Sequence, residues 1–315
     1  MKKANGVPPC DHCRKPSAIE LEYSAQNLCR KCFTRVFERR VWKANQQFKL
    51  LNRKDAIVVG VSGGKDSSAL LHILAKMAKQ IGFKVIPVLI DEGIHRYRNK
   101  AVKKAEEMCK KLGLRLKVFS YKKLFGKTMD EVIELRNKGK ISGKACSFCG
   151  VFRRKALNQA AVELEGTKIA VGHNADDIAQ TFLMNLLRAE PQRNARFGII
   201  DEPQEGFVPR IKPLVFNTEK ETAEYCMINN LPFYLGECPY SSEAFRGEVK
   251  NFLNETEGKY PGIKFNLLHS FLETKEFYEN GGKKEAKSAK CGECGSPSSN
   301  ALCKACGLKQ MLKKL

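Results

Sequence analysis

The stretch from Val58 to Leu71 reads VVGVSGGKDSSALL. A short apolar run enters a Ser-Gly-Gly turn, and the turn leads directly into residues whose apolar positions repeat with helical spacing. A strand that passes through glycines into a helix presents backbone N–H groups, and the positive end of the helix dipole, to an anion such as a phosphate. A Walker A loop requires GxxxxGK followed by Ser or Thr. Here Lys65 is followed by Asp66 and no glycine stands at the required first position, so the kinase and GTPase reading is weak. A chance hexapeptide in a tight turn is the bland alternative, and the strand and helix on either side count against it.

From Asp55 onward, short apolar runs alternate with amphipathic stretches, the pattern of a doubly wound parallel α/β sheet. Strands are predicted over 56–61, 84–90, 114–119 and 167–172, and helices over 66–81, 96–112, 150–164 and 176–189. A turn-rich passage follows, then a strand around PRIKPLVF, a helix over 218–230 and a further strand in PFYLGEC. Residues 243–279 read as helical, and NGGKKEAKSAK at 280–290 as a flexible basic linker. The chain thus divides into a cysteine module with its helix (1–54), an α/β domain (55–242), a helical extension with linker (243–282) and a second cysteine module (283–315).

The longest apolar runs, AIVVGV and VIPVLI, fall far below the roughly 20 residues of a membrane span. The start, MKKANGVPPC, lacks the apolar region of a secretory signal, so a reducing cytoplasm is expected. Thirteen cysteines there point to metal binding or redox chemistry before disulfides. Cys10, Cys13, Cys29 and Cys32 form two CxxC pairs with the spacing of a structural zinc site, and Cys291, Cys294, Cys303 and Cys306 form a tighter set suited to a small zinc ribbon. Rubredoxin-type iron would use the same ligands. His12, inside the first pair, reads as a bystander. Net charge is +22, and residues 1–54 hold 13 Lys/Arg against 4 Asp/Glu, while residues 283–315 hold 8 against 2. Two basic, cysteine-bearing modules flanking one domain favour a polyanionic partner, most simply nucleic acid.

A second motif, VGHNADDIAQTF at 171–182, repeats the strand, glycine turn and helix. Asp176 is placed to cap the helix, with Asp177 in its first turn. Ligands of a doubly wound sheet lie beyond the carboxyl ends of the strands, where the strand order reverses. With the order 3-2-1-4-5, the turns at 62–67 and 172–177 sit side by side and outline a nucleotide pocket, with Asp91 of LIDEGI closing its second-strand side.

The run Ser62-Gly63-Gly64-Lys65-Asp66-Ser67 resembles the SGGxDS signature of the PP-loop ATP pyrophosphatases (HUP-like fold), which cleave ATP to AMP and pyrophosphate and adenylate a carbonyl oxygen. Together with IDEGI, GHNADDIAQT and PRIKPL, it resembles the tRNA 2-thiouridine synthetases of the TtuA/TtcA/NcsA group, from Cys10 to Cys306. The resemblance implies that Ser62, Lys65, Asp66 and Ser67 hold the phosphates of ATP, with Gly63 and Gly64 as the rest of the cofactor-binding turn and Mg2+ assisting, that Gly60, Val61, Ser62, Ile90 and Gly172 contact the rest of the nucleotide, and that Asp177 is the catalytic candidate. It also implies an ATP contact for Arg153, where the group commonly has lysine. Cys146 and Cys149 match two ligands of a [4Fe-4S] cluster whose third is Cys238, leaving one iron open to hydrosulfide. Cys109 and Cys226 lie in amphipathic helices, where a cysteine is most often a small buried hydrophobe. Further implications are two Zn2+, a tRNA substrate, a homodimer, and sulfur arriving as sulfide or on a ubiquitin-like carrier thiocarboxylate.

Three rival readings stand beside this one. The central cysteines act as persulfide or disulfide-forming thiols without a cluster. Alternatively, the same adenylating chemistry serves an amine nucleophile, which gives the three cysteines no role. Lastly, a non-enzymatic zinc-dependent RNA-binding protein explains the termini and the charge but neither SGGKDS nor GHNADD.

Overall fold

The computed structural model describes residues 7–201, 204–241, 245–281 and 289–314. The N-terminal module is a hairpin of β1 (Ile19–Leu21) and β2 (Gln26–Leu28), followed by α1 (Arg30–Phe48), whose N-cap is Cys29. The central domain runs β3 (Ala56–Gly60), α2 (Lys65–Ile81), β4 (Lys84–Asp91), α3 (Tyr97–Lys111), β5 (Lys117–Ser120), α4 (Tyr121–Phe125), α5 (Met129–Asn137) and α6 (Ala145–Glu163). It continues with β6 (Lys168–Ala170), α7 (Ala175–Leu187), α8 (Gln192–Ala195), β7 (Arg210–Ile211) and α9 (Glu219–Ile228). The helices α10 (Phe245–Lys259) and α11 (Ile263–Gly281) follow. The C-terminal module consists of the pair β8 (Ala289–Lys290) and β9 (Pro297–Ser298), then α12 (Lys304–Lys313).

The five central strands are parallel in the order β5-β4-β3-β6-β7, the expected 3-2-1-4-5 of a doubly wound sheet. Alternation along the strands fills two cores. Ile57 and Val59 of β3 and Leu89 of β4 face the layer of α1, α2, α3 and α9, whereas Val58, Ile86, Val88 and Ile90 face α4, α5, α6 and α12. The terminal modules pack onto the domain through opposite layers. Phe37 of α1 stacks on Tyr225 of α9 at 4.4 Å, and Ala305 and Leu312 of α12 join the core beneath α6.

Three readings of the sequence are corrected. PFYLGEC is not a strand: the Tyr234 N–H donates to Gly63 O at 2.8 Å and Pro232 O accepts from Ser68 Oγ at 2.9 Å, so this backbone braces the Ser-Gly-Gly turn instead of joining the sheet. Helix α6 begins at Ala145, not near residue 150, which places both central cysteines on its first turns. The cap of α7 is Asn174, not Asp176: its side chain accepts from Asp177 N at 3.1 Å while Asp177 Oδ2 accepts from Asn174 N at 3.2 Å, a capping box. Helices α4 and α5 were not anticipated, and most of the expected linker, 282–288, lies outside the described residues.

Helix α11 belongs to the main core. Phe271 is fully buried, 5.6 Å from Phe182 of α7 and 5.3 Å from Phe197 between ring centroids. Phe271→Ala is expected to lower unfolding free energy by about 3–5 kcal/mol in urea titration, through lost apolar burial and the cavity left behind.

Candidate active site

The Ser-Gly-Gly turn joins β3 to α2 and is built from its own side chains. Ser67 Oγ accepts from Ser62 N at 3.1 Å, lies 3.1 Å from Ser62 Oγ, and donates to Gly64 O at 2.9 Å. Gly63 has φ of +86°, and a Cβ there would lie 2.1 Å from Ala101 O, so only glycine fits. Lys65 opens α2 and reaches Asp66 Oδ2 at 3.0 Å and Glu219 Oε1 at 2.9 Å. Burial works against its charge, but these two carboxylates hold its pKa above the ordinary lysine value.

The GHNADD turn lies directly alongside. A Cβ on Gly172 would meet the backbone carbon of Asp66 at 3.0 Å, and Asn174 Nδ2 donates to Asp66 Oδ1 at 3.0 Å. Asp177, third residue of α7, also faces Arg246 of α10 across 3.7 Å. Burial pushes the Asp66 carboxyl up despite Lys65, and pushes the Asp177 carboxyl up despite Arg246. Asp176 points elsewhere: it is buried, pairs with Lys264 of α11 at 2.5 Å and accepts from Glu219 N at 2.7 Å.

Between the two turns opens a crevice lined by Gly60, Val61, Ser62, Asp66, Ser67 and Ile90, with Arg153, Gly172 and Asp177 across from them. Asp91 is not part of this lining; its Oδ1 accepts from Gly93 N at 2.9 Å, and Glu92 faces the crevice in its place. Glu92 is 3% exposed and lies between two arginines, with Arg98 Nε 2.8 Å from one carboxylate oxygen and Arg153 Nε 3.0 Å from the other. Arg98 in turn donates to Ser62 O at 3.0 Å and to Ile90 O. Arg153 donates to Cys149 Sγ at 3.1 Å. A continuous run of contacts therefore joins the glycine turn to a central cysteine.

Cys146 and Cys149 sit on the first two turns of α6. Cys146 Sγ lies 3.6 Å from Tyr240 O, and Tyr240 stands two residues beyond Cys238. Burial pushes the Cys238 thiol up, with smaller contributions from Cys149 and Cys146 that the Tyr240 backbone and Arg153 oppose. The three cysteines are not among the groups of described residues whose ligand atoms all lie within 4.8 Å of one another. In Cys10/Cys13/Cys29/Cys32 and in Cys291/Cys294/Cys303/Cys306 the four sulfurs lie within 4.8 Å of one another, the arrangement a tetrahedral ion needs.

Glu92, Arg98, Arg246 and Lys264 were not read from the sequence. Strand alternation carried a signal for the first: with Ile90 assigned to the pocket, the same face two residues on is Glu92, not Asp91. Arg98, Arg246 and Lys264 reach the site from helices with no local motif. Glu92→Gln leaves Arg98 buried without a counter-charge, and a stability loss of about 3–5 kcal/mol in chemical denaturation is expected.

A family model described as a PP-loop domain matches residues 33–257. Cytoplasmic tRNA 2-thiolation protein 1 from Danio rerio is 36% identical over 320 residues, spanning 97% of this chain and 90% of the relative. The protein of that name from Arabidopsis thaliana is 35% identical, spanning 99% of this chain and 87% of its own length. Among solved structures, the U34-tRNA thiolase NcsA from Methanococcus maripaludis, determined with its [4Fe-4S] cluster, aligns with a TM-score of 0.76 at 33% identity, covering 85% of this chain and 88% of that one. Sequence motifs, sheet order and crevice agree with these likenesses, and the chain belongs to the PP-loop family of tRNA 2-thiolation proteins.

Proposed function

We propose that this chain is a cytoplasmic ATP-dependent tRNA sulfurtransferase that replaces the C2 oxygen of a uridine, U34 by analogy with its structural neighbour, with sulfur. The observation that carries the reading is the contact run from Ser62 through Arg98, Glu92 and Arg153 to Cys149, because it sets a nucleotide site and a thiol site against each other. A phosphate-binding turn alone serves any adenylating enzyme. A thiol site sharing an arginine with it calls for sulfur as the nucleophile.

The phosphates of ATP lie over the Ser62–Ser67 turn, and Lys65 exchanges its carboxylate partners for phosphate oxygens. The uracil C2 oxygen attacks the α-phosphorus and pyrophosphate leaves, giving a C2–O–AMP linkage. Hydrosulfide adds at C2, AMP departs with the oxygen, and a proton is released. Asp66 and Asp177, with carboxyls raised by burial, would hold Mg2+, which when bound would offset charge on the phosphates, and Asp177 would otherwise take that proton. Arg153, shared between the crevice and Cys149, neutralises charge on both sides of the reacting carbon.

Cys146, Cys149 and Cys238 would hold a [4Fe-4S] cluster, which when bound supplies an iron without a protein ligand as the docking point for sulfide. The persulfide reading uses the same three thiols and remains its rival. The two terminal cysteine sets would hold Zn2+, fixing the hairpins of 1–54 and 283–315 against the domain. The reading also carries sulfide or a carrier thiocarboxylate as sulfur source, and a homodimer.

Lys65→Ala is expected to cut tRNA-dependent AMP formation by roughly a hundredfold or more, measured with purified protein, ATP and sulfide, since the phosphate clamp is lost. Full activity in that variant contradicts the assignment of the turn. Protein purified without oxygen should be brown, with about four irons per chain beyond zinc. Colourless protein that still thiolates tRNA favours the persulfide reading.

A further inference from the structure

Helix α6 carries three consecutive cations, Arg153, Arg154 and Lys155, and at 3.6 residues per turn they fan out to three destinations. Arg153 turns to Glu92 and Cys149. Lys155 docks the C-terminal module, donating to Ser296 Oγ at 2.6 Å and Cys294 Sγ at 3.2 Å. Arg154 faces a separate cavity of about 380 Å³ between α6, β7 and the start of α12.

Among the described residues, cations outnumber acids around that cavity. Arg154, Arg210 and Lys304 have no carboxylate within ion-pair distance among the described residues; the one acid in the described lining, Asp201, pairs with Lys212 at 3.4 Å and acts on Arg210 only from beyond that distance. Arg210 Nε is buried with no hydrogen-bond partner among the described residues. Burial lowers the pKa of Arg210; the Asp201 carboxylate works against this and the Arg154 guanidinium adds to it, and the net direction is down. Like charges gathered in a concave space, with an unused donor, fit an anion with several acceptor oxygens, and paired guanidinium groups match phosphate geometry.

We propose that this cavity binds a backbone phosphate of the RNA, held by Arg154, Arg210 and Lys304. This rests on the tRNA reading above and adds to it the point where the strand is gripped. Arg154 lies five residues beyond Cys149 on the same helix, about 8 Å along its axis, so a phosphate held there sets the RNA at a fixed distance from the thiol site. The basic C-terminal module, anchored by Lys155, supplies the opposite wall.

The test is the salt dependence of tRNA binding by fluorescence anisotropy for the wild type, Arg154→Ala, Arg210→Ala and the double variant, with Lys103→Ala on the exposed face of α3 as a control for charge loss alone. Each cavity variant should bind several-fold more weakly, with the slope of log K against log salt shallower by roughly 0.7–0.9 per lost contact. The control slope, ATP affinity and melting temperature should not move. Wild-type affinity and slope in the double variant overturn the cavity assignment while leaving the enzymatic reading intact; a wild type that binds no tRNA overturns the enzymatic reading itself. If the variants do not fold, ultraviolet crosslinking of wild-type protein to tRNA decides: adducts within 151–155 or 207–210 support the site, and adducts confined elsewhere refute it. Competition by polyglutamate as effective as by RNA at equal charge would assign the cavity to an acidic polypeptide and overturn the RNA proposal.

Discussion

Two glycine turns meet at the switch point of the sheet, and the site is built on how closely they approach. Gly172 lies so near Asp66 that a single Cβ would crowd the backbone of the other turn, and Gly63 adopts a backbone conformation that a side chain could not share with Ala101. The parallel order β5-β4-β3-β6-β7 brings the turns together, because β3 and β6 are neighbours and one of the two turns follows each of them. Helices α2 and α7 therefore begin side by side, and both direct the positive ends of their dipoles at one crevice.

Charge then ties the crevice to what surrounds it. Acids in and beside the crevice are held by cations from later in the chain: Asp177 within it by Arg246, and Asp176 and Glu219 beside it by Lys264 and Lys250. On the other side Glu92 is held between Arg98 and Arg153, and Arg153 leads to Cys149. Helices α10 and α11 are thus part of the electrostatic frame of the site as well as of the core. A bound nucleotide would exchange some of these ion pairs for phosphate contacts.

Much of this was legible in the chain. SGGKDS and GHNADD, each between apolar and amphipathic runs, carried the doubly wound order, and the CxxC spacings carried both terminal sulfur groups. Residues whose role depends on three-dimensional approach were not legible. Arg246 and Lys264 enter from helices more than sixty residues after the aspartates they pair with, and no local pattern announces such a contact. PFYLGEC has the composition of a strand, yet its backbone partners are in the Ser-Gly-Gly turn, a tertiary override of β propensity. Asn174 displaced Asp176 as the cap because the capping box needs an acceptor three residues before Asp177, which is where Asn174 stands.

The central claim is that the crevice and the central cysteines together make 2-thiouridine in tRNA. It is tested most directly by mass spectrometry of tRNA nucleosides, mapped to position, from cells with the gene, without it, and complemented with a Cys149→Ser copy. The account predicts that 2-thiouridine disappears from one tRNA position without the gene, returns with the wild-type copy and does not return with the variant. Unchanged 2-thiouridine in cells lacking the gene would contradict it.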